Sequence, residues 1–137
     1  MIKKICISLV VVFFFLLSGT IHAGGPNMKE GLWEITVKME VPGMSMQIPA
    51  QKFTQCLKKE NMVPQQEEKN QQCKMVNTEV KGDTVTWVIE CKGPEGTTRG
   101  NGRVTYKGDT FDGSMNIKQA DMEVTQHMSG RLIGPCK

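Results

Sequence analysis

Residues 30–41 read EGLWEITVKMEV, and apolar and polar side chains alternate from Trp33 to Val41. The apolar positions of this alternation are Trp33, Ile35, Val37, Met39 and Val41. Because successive side chains of an extended chain point to opposite faces, the pattern predicts a strand with one buried face and one wet face. The fold is therefore expected to contain a sheet that covers a core on one side.

Six further strands are predicted along the rest of the chain, separated by turn signals. They cover residues 44–56, 72–80, 84–91, 98–106, 110–118 and 121–133. Lys-Gly-Asp-Thr occurs at 81–84 and again at 107–110, and Gly-Asp suits a two-residue type II′ turn. The predicted fold class is all-β: a curved antiparallel meander of about seven strands, rolled toward a barrel, with a short helical turn after Cys56. The sequence leaves open whether the sheet closes.

The first 23 residues have the pattern of a secretory signal peptide. Lys3 and Lys4 give a positive start, residues 5–17 form an apolar run, and a small-residue stretch ends at Ala23. The run is shorter than the ~20 residues of a transmembrane helix. We expect a signal peptide over 1–23, no transmembrane segment after its cleavage, and a single β domain over 24–137 that is periplasmic or secreted.

The charge balance argues against nucleic acid as a partner. The chain has 17 basic and 14 acidic residues, a formal net charge of +3. Removal of Lys3 and Lys4 with the signal peptide leaves 15 against 14, or +1. Nucleic-acid binding needs a basic face that neutralises phosphates, which this near balance does not predict.

Four of the five cysteines lie after the predicted cleavage point, because Cys6 is lost with the signal peptide. In an oxidising compartment four cysteines indicate two disulfides, and neither Cys-x-x-Cys pairs nor nearby histidines indicate zinc. Pairing Cys73 with Cys91 across a hairpin conflicts by one residue with a two-residue loop at 82–83. A bulge or a three-residue loop would reconcile them. We favour Cys73–Cys91, with Cys56–Cys136 by elimination, while the other pairings stay open.

Catalytic residues are scarce. His127 is the one histidine after residue 23, and no Gly-x-Ser-x-Gly turn is present. The glycine-rich residues 93–102 lack the strand-to-helix context of a phosphate-binding loop. The sequence therefore predicts a protein that is not an enzyme and that holds no cofactor.

Methionine is the one residue type whose placement in the sequence suggests a binding site. Met39, Met44 and Met46 lie around the turn at Pro42-Gly43, and thioethers are soft ligands that select Cu(I). The competing interpretation is that methionines fill core gaps in a chain poor in aromatic residues. A Cu(I)-binding protein using these three residues is the alternative functional hypothesis.

Several motifs together resemble a bacterial secreted family, domain of unknown function 3617. They are Gly31-Leu32-Trp33-Glu34, Pro42-Gly43-Met44, Gln55-Cys56-Leu57, Cys73, Trp87 with Glu90-Cys91, Gly100-x-Gly102, Tyr106-x-Gly108-Asp109 and Gly134-Pro135-Cys136-Lys137. The resemblance implies a periplasmic or secreted protein of Gram-negative bacteria. It implies no established activity and no site residues.

The leading functional hypothesis combines the curved sheet with the scarcity of catalytic groups. A concave face carrying Trp33, Trp87 and methionines is suited to apolar ligands, which often bind in the mouths of small β-barrels. We therefore expect a non-enzymatic β-sheet protein that binds a small apolar ligand or an envelope protein.

Overall fold

The computed structural model describes residues 24–65 and 72–137, which form one sheet of seven antiparallel strands. The strands are β1 (Gly31–Glu40), β2 (Gln51–Leu57), β3 (Gln72–Lys81), β4 (Thr84–Gly93), β5 (Gly96–Tyr106), β6 (Thr110–Gln119) and β7 (Met122–Gly134). The all-β prediction is confirmed. The second strand starts at Gln51 rather than at residue 44, after Pro49.

The sheet curls into a half-barrel in the order β2-β1-β7-β6-β5-β4-β3. β3 to β7 form a meander, and β1 then pairs with β7 on one side and β2 on the other. The two edge strands, β2 and β3, are consecutive in the chain. Among the described residues no strand pairing joins them, so the half-barrel stays open between β2 and β3.

The core fills one end of the concave face. Trp33 and Ile35 of β1 are fully buried there, as the alternation in β1 predicts. Trp33 packs with Tyr106 and Phe111, with ring centroids 5.5–5.8 Å apart. Gly130 makes room for Phe111, because a Cβ on that glycine would lie 2.1 Å from the ring.

The two Lys-Gly-Asp-Thr turns lie beside this aromatic cluster, and the N-terminal segment crosses them. Gly82 and Gly108 have φ angles of 57° and 82°, which suit the first position of a type II′ turn. Asn27 accepts a hydrogen bond from the Gly108 backbone N–H and donates its own N–H to the Asp83 carboxylate. These hydrogen bonds hold the neighbouring Met28, whose side chain is buried in the hydrophobic core.

The short helical turn predicted after Cys56 is wrong, and no helix occurs within the described residues. Lys58 and Asn61 instead exchange backbone hydrogen bonds of 3.3 and 2.9 Å, which close a tight antiparallel turn. Val63 and Pro64 then pack onto the core rather than remaining in solvent. Residues 58–65, here named the bridging segment, therefore fold back over the concave face.

The structure contains the disulfides Cys73–Cys91 and Cys56–Cys136. In the β3–β4 hairpin Cys73 lies opposite Cys91, yet Val80 lies opposite Val85 across the two-residue loop. A bulge at Val76 absorbs the one-residue difference. The bulge, rather than a longer loop, thus reconciles the two registers.

The predicted signal peptide over 1–23 lies outside the described residues. Within the described part of the chain, no helix is long and apolar enough to cross a membrane.

Candidate functional site

A cavity of about 640 Å³ occupies the concave face beyond the aromatic cluster. Its volume falls within the ~300–1,000 Å³ of ordinary small-molecule sites. Eight apolar side chains from five strands line it: Val37, Met39, Phe53, Trp87, Ile89, Met115, Ile117 and Met128. The cavity exists because the core residues fill only one end of the curled sheet.

Two glycines of β5 shape the wall. Gly102 lies opposite Trp87 of β4, and a Cβ on Gly102 would be 2.0 Å from Cε2 of the indole. The indole therefore rests directly on the β5 backbone. At Gly100 a Cβ would lie 2.9 Å from Ile89 and 3.2 Å from Sδ of Met115. Side chains at either position would push their neighbours into the cavity.

The polar groups that line the cavity are uncharged. They come from Gln51, Gln65, Thr98 and Gln126, and within residues 24–65 and 72–137 no ionisable side chain lines the cavity. Gln126 of β7 lies between Met39 of β1 and Met115 of β6 in the sheet register. The cavity thus offers amide donors and acceptors within an apolar wall.

Hydrogen bonds hold the bridging segment against this wall. The Tyr106 hydroxyl donates to the Met62 carbonyl. The Gln55 amide donates to the Val63 carbonyl at 3.4 Å and accepts from the Gln65 N–H at 3.0 Å. Burial raises the pKa of Tyr106 well above its usual range, because the phenolate would lose its hydration. Pro64 and Gln65 consequently line one side of the cavity.

The two tryptophans expected at a ligand site have different places. Trp87 lines the cavity and is 2% exposed. Trp33 is 0% exposed and belongs to the aromatic cluster, where its indole N–H donates to the Lys29 carbonyl at 3.1 Å. Trp33 does not line the cavity.

The three methionines of the copper hypothesis are also divided. Met39 is half-buried at the cavity wall. Met44 and Met46, in the loop between β1 and β2, are 55% and 76% exposed. These two methionines therefore do not fill core gaps.

The remaining reactive groups of the described residues do not converge. His127 forms a 3.0 Å contact with Glu40 on the surface. Within residues 24–65 and 72–137, no three His, Cys, Asp or Glu side chains cluster in a way that could hold a metal ion. The Cys73–Cys91 disulfide lies at the cavity wall.

A smaller groove of about 360 Å³ lies on the other face of the sheet and has polar side chains. Among them, Asn116 donates its amide to Glu123 at 2.6 Å, while its Oδ1 is buried and has no hydrogen-bond partner among the described residues. The groove is smaller than the concave cavity, and most of its lining residues are polar.

Sequence reasoning missed most of the cavity wall, including Phe53, Met115, Gln126 and Met128. The alternation of β6 and β7 contained the signal, because Met115, Ile117, Val124, Gln126 and Met128 share one face once the strands are paired. What the sequence could not supply was the register that places this face beside β1.

Fold and site together define a small disulfide-bonded β protein whose single sheet curls around a cavity that the described residues line with uncharged side chains. A family model described as a protein of unknown function (DUF3617) matches residues 28–136, and the chain belongs to this family. The match spans all seven strands and the four cysteines of the two disulfides. No curated protein and no solved structure matches the chain.

Proposed function

We propose that this protein binds a small apolar ligand in the concave cavity and is not an enzyme. The observation that carries the proposal is the cavity of about 640 Å³, which eight apolar side chains line and into which no ionisable side chain of the described residues projects. An apolar molecule there would lose water-exposed surface and meet flexible methionine side chains that adapt to its shape. In the described part of the chain, no His, Asp, Glu, Lys or Arg side chain lines that wall.

A periplasmic or secreted location is the second part of the proposal. Two disulfides are typical of an oxidising compartment. The predicted signal peptide over 1–23 supports export. Mass spectrometry of the exported protein tests this, and recovery of a mature chain that begins at Gly24 with all four remaining cysteines oxidised is expected.

Ligand binding is tested with protein purified from the periplasm, by native mass spectrometry and by uptake of the neutral dye N-phenyl-1-naphthylamine. Ile117 lines the cavity, so Ile117→Trp should fill it and reduce dye uptake. Ile133→Trp is the matched control, because Ile133 is exposed and does not line the cavity. Absence of dye uptake together with a clean apo mass would reject ligand binding and favour an envelope protein as partner.

Cu(I) binding by Met39, Met44 and Met46 is the second candidate. The exposure of Met44 and Met46 favours it, because thioethers in solvent are available as ligands. Titration against a colorimetric Cu(I) chelator should detect binding that the double variant Met44→Leu, Met46→Leu abolishes. Leucine keeps the apolar volume, so folding should be nearly unchanged. No competition with the chelator would reject the copper hypothesis.

A further inference from the structure

The absence of charge from the cavity wall restricts which ligands it accepts. A buried carboxylate or ammonium needs a partner charge or several hydrogen bonds, since its desolvation otherwise costs several kcal/mol. Among the residues that the structure describes, none that lines the cavity is ionisable. A ligand whose charged group enters the cavity would therefore be penalised.

One amide at the cavity wall is available to a ligand. Gln126 is half-buried, lines the cavity, and its side chain makes no hydrogen bond with another described residue. Gln55 is different, because its amide is already bonded to Val63 and Gln65 of the bridging segment. The Gln55 side chain holds the fold together, whereas the Gln126 side chain faces the cavity with free donors and an acceptor.

We propose that the cavity selects uncharged amphiphiles, molecules with one alkyl chain and one neutral head group, and that Gln126 contacts the head. A primary amide both donates and accepts hydrogen bonds, so it matches an amide or hydroxyl head. Met39 and Met115 flank Gln126 and would contact the first part of the chain. This inference rests on the proposed ligand binding and adds its chemical class and a specificity-determining residue.

The selectivity test is a competition of matched twelve-carbon ligands against N-phenyl-1-naphthylamine. The ligands are dodecanamide and dodecan-1-ol, each below its solubility limit, and ionised dodecanoate and dodecyltrimethylammonium, each below its critical micelle concentration. The two neutral ligands should displace the dye about tenfold more tightly than either charged ligand. Equal or tighter binding of dodecanoate would overturn the selectivity while leaving ligand binding intact. If neither the dye nor any of the four ligands binds, the proposed function itself fails.

A second measurement tests the role of Gln126. Gln126→Leu should weaken the binding of dodecanamide by about two- to tenfold, the loss of roughly one neutral hydrogen bond, once the competition is corrected for the dye affinity of the same variant. Gln72→Leu is the matched control, since Gln72 precedes Cys73 in β3 and points to the opposite face. Far-ultraviolet circular dichroism and thermal melts establish that each variant is folded. An unchanged dodecanamide affinity in folded Gln126→Leu would remove Gln126 from the proposal.

Discussion

Gly102 has no side chain, and this allows the indole of Trp87 in β4 to lie directly on the β5 backbone. A methyl group there would be 2.0 Å from the indole of Trp87, so Gly102→Ala must push the indole toward the cavity. We expect a loss of about 1–3 kcal/mol in the free energy of unfolding, as for other overpacked sites. Urea unfolding measures this loss, and a red shift of tryptophan emission should accompany it.

Gly134→Ala is the matched control for that variant. A Cβ on Gly134 would meet nothing within 4 Å, so the change should stay within about 0.5 kcal/mol. Equal effects of the two substitutions would contradict the close packing of Trp87 on β5.

Tyr106 gives a second prediction because it is the only tyrosine in the chain. Its pKa is raised by burial in the folded protein, so the folded state keeps the proton at pH values where the unfolded state releases it. The stability contributed by the neutral phenol is complete below the unfolded pKa of about 10 and is lost as pH rises above it. Tyrosinate absorbance should therefore appear only together with alkaline unfolding.

Tyr106→Phe separates this effect from lysine titration. The variant leaves the Met62 carbonyl without its donor and should cost about 1–3 kcal/mol at neutral pH. As the pH rises above about 10, the free energy of unfolding of the variant should also fall less steeply than that of the wild-type protein. A tyrosinate signal at about pH 10 in folded wild-type protein would show that the hydroxyl is not buried.

Among the strands, β3 is the most exposed, and its bulge at Val76 has a testable role. Deleting Val76 would join Met75 to Asn77 in a regular ladder that still places Cys73 opposite Cys91 and keeps the two-residue loop. We expect the Cys73–Cys91 disulfide to form in the deletion variant, as peptide mapping would detect. Because bulges protect sheet edges from pairing with other chains, the variant should self-associate more readily.

A matched deletion in the same strand checks this reading of the register. Removing Thr78 leaves the bulge at Val76 in place. It shifts by one residue the pairing of the β3 residues between the bulge and the loop, on the side of Val80. This deletion should destabilise the hairpin more than loss of Val76. Failure of the Val76 deletion to form its disulfide would show that the bulge is needed for the register.

The alternation of residues 30–41 and the Lys-Gly-Asp-Thr turns at 81–84 and 107–110 were enough to predict the strands and their antiparallel order along the chain. The short helical turn was mispredicted because Leu57 to Asn61 contains helix-forming residues, whereas tertiary contacts bury Leu57 and Val63. The pairing of β1 with β7 could not be predicted, since it joins residues about a hundred positions apart. Trp33 and Trp87 both lie in strands with alternating apolar and polar residues, so the local sequence does not distinguish them. The pairing of β1 with β7 places Trp33 in the core, whereas Trp87 lines the cavity.

For the molecule as a whole, the two disulfides should differ in their contribution to stability. Cys56–Cys136 joins residues 80 apart, and Cys73–Cys91 joins residues 18 apart. The chain-entropy relation gives about 4.5 and about 3.2 kcal/mol for loops of these lengths. The Cys56→Ser, Cys136→Ser variant should therefore unfold at lower urea concentration than the Cys73→Ser, Cys91→Ser variant. The reverse order would indicate that strain or residual unfolded structure outweighs loop length.

The order of the strands has a mechanical consequence. The two edges of the sheet, β2 and β3, are linked by the stretch of chain between them, and neither disulfide spans from one edge to the other. A closed barrel admits a guest only through its ends unless a strand pair separates. In this open sheet, a change of twist moves the edge strands β2 and β3 apart without breaking any hydrogen bond between paired strands. Among the described residues, the hydrogen bonds that would have to break for a long ligand to enter from the side are those that join Tyr106, Gln55 and Glu30 to the bridging segment.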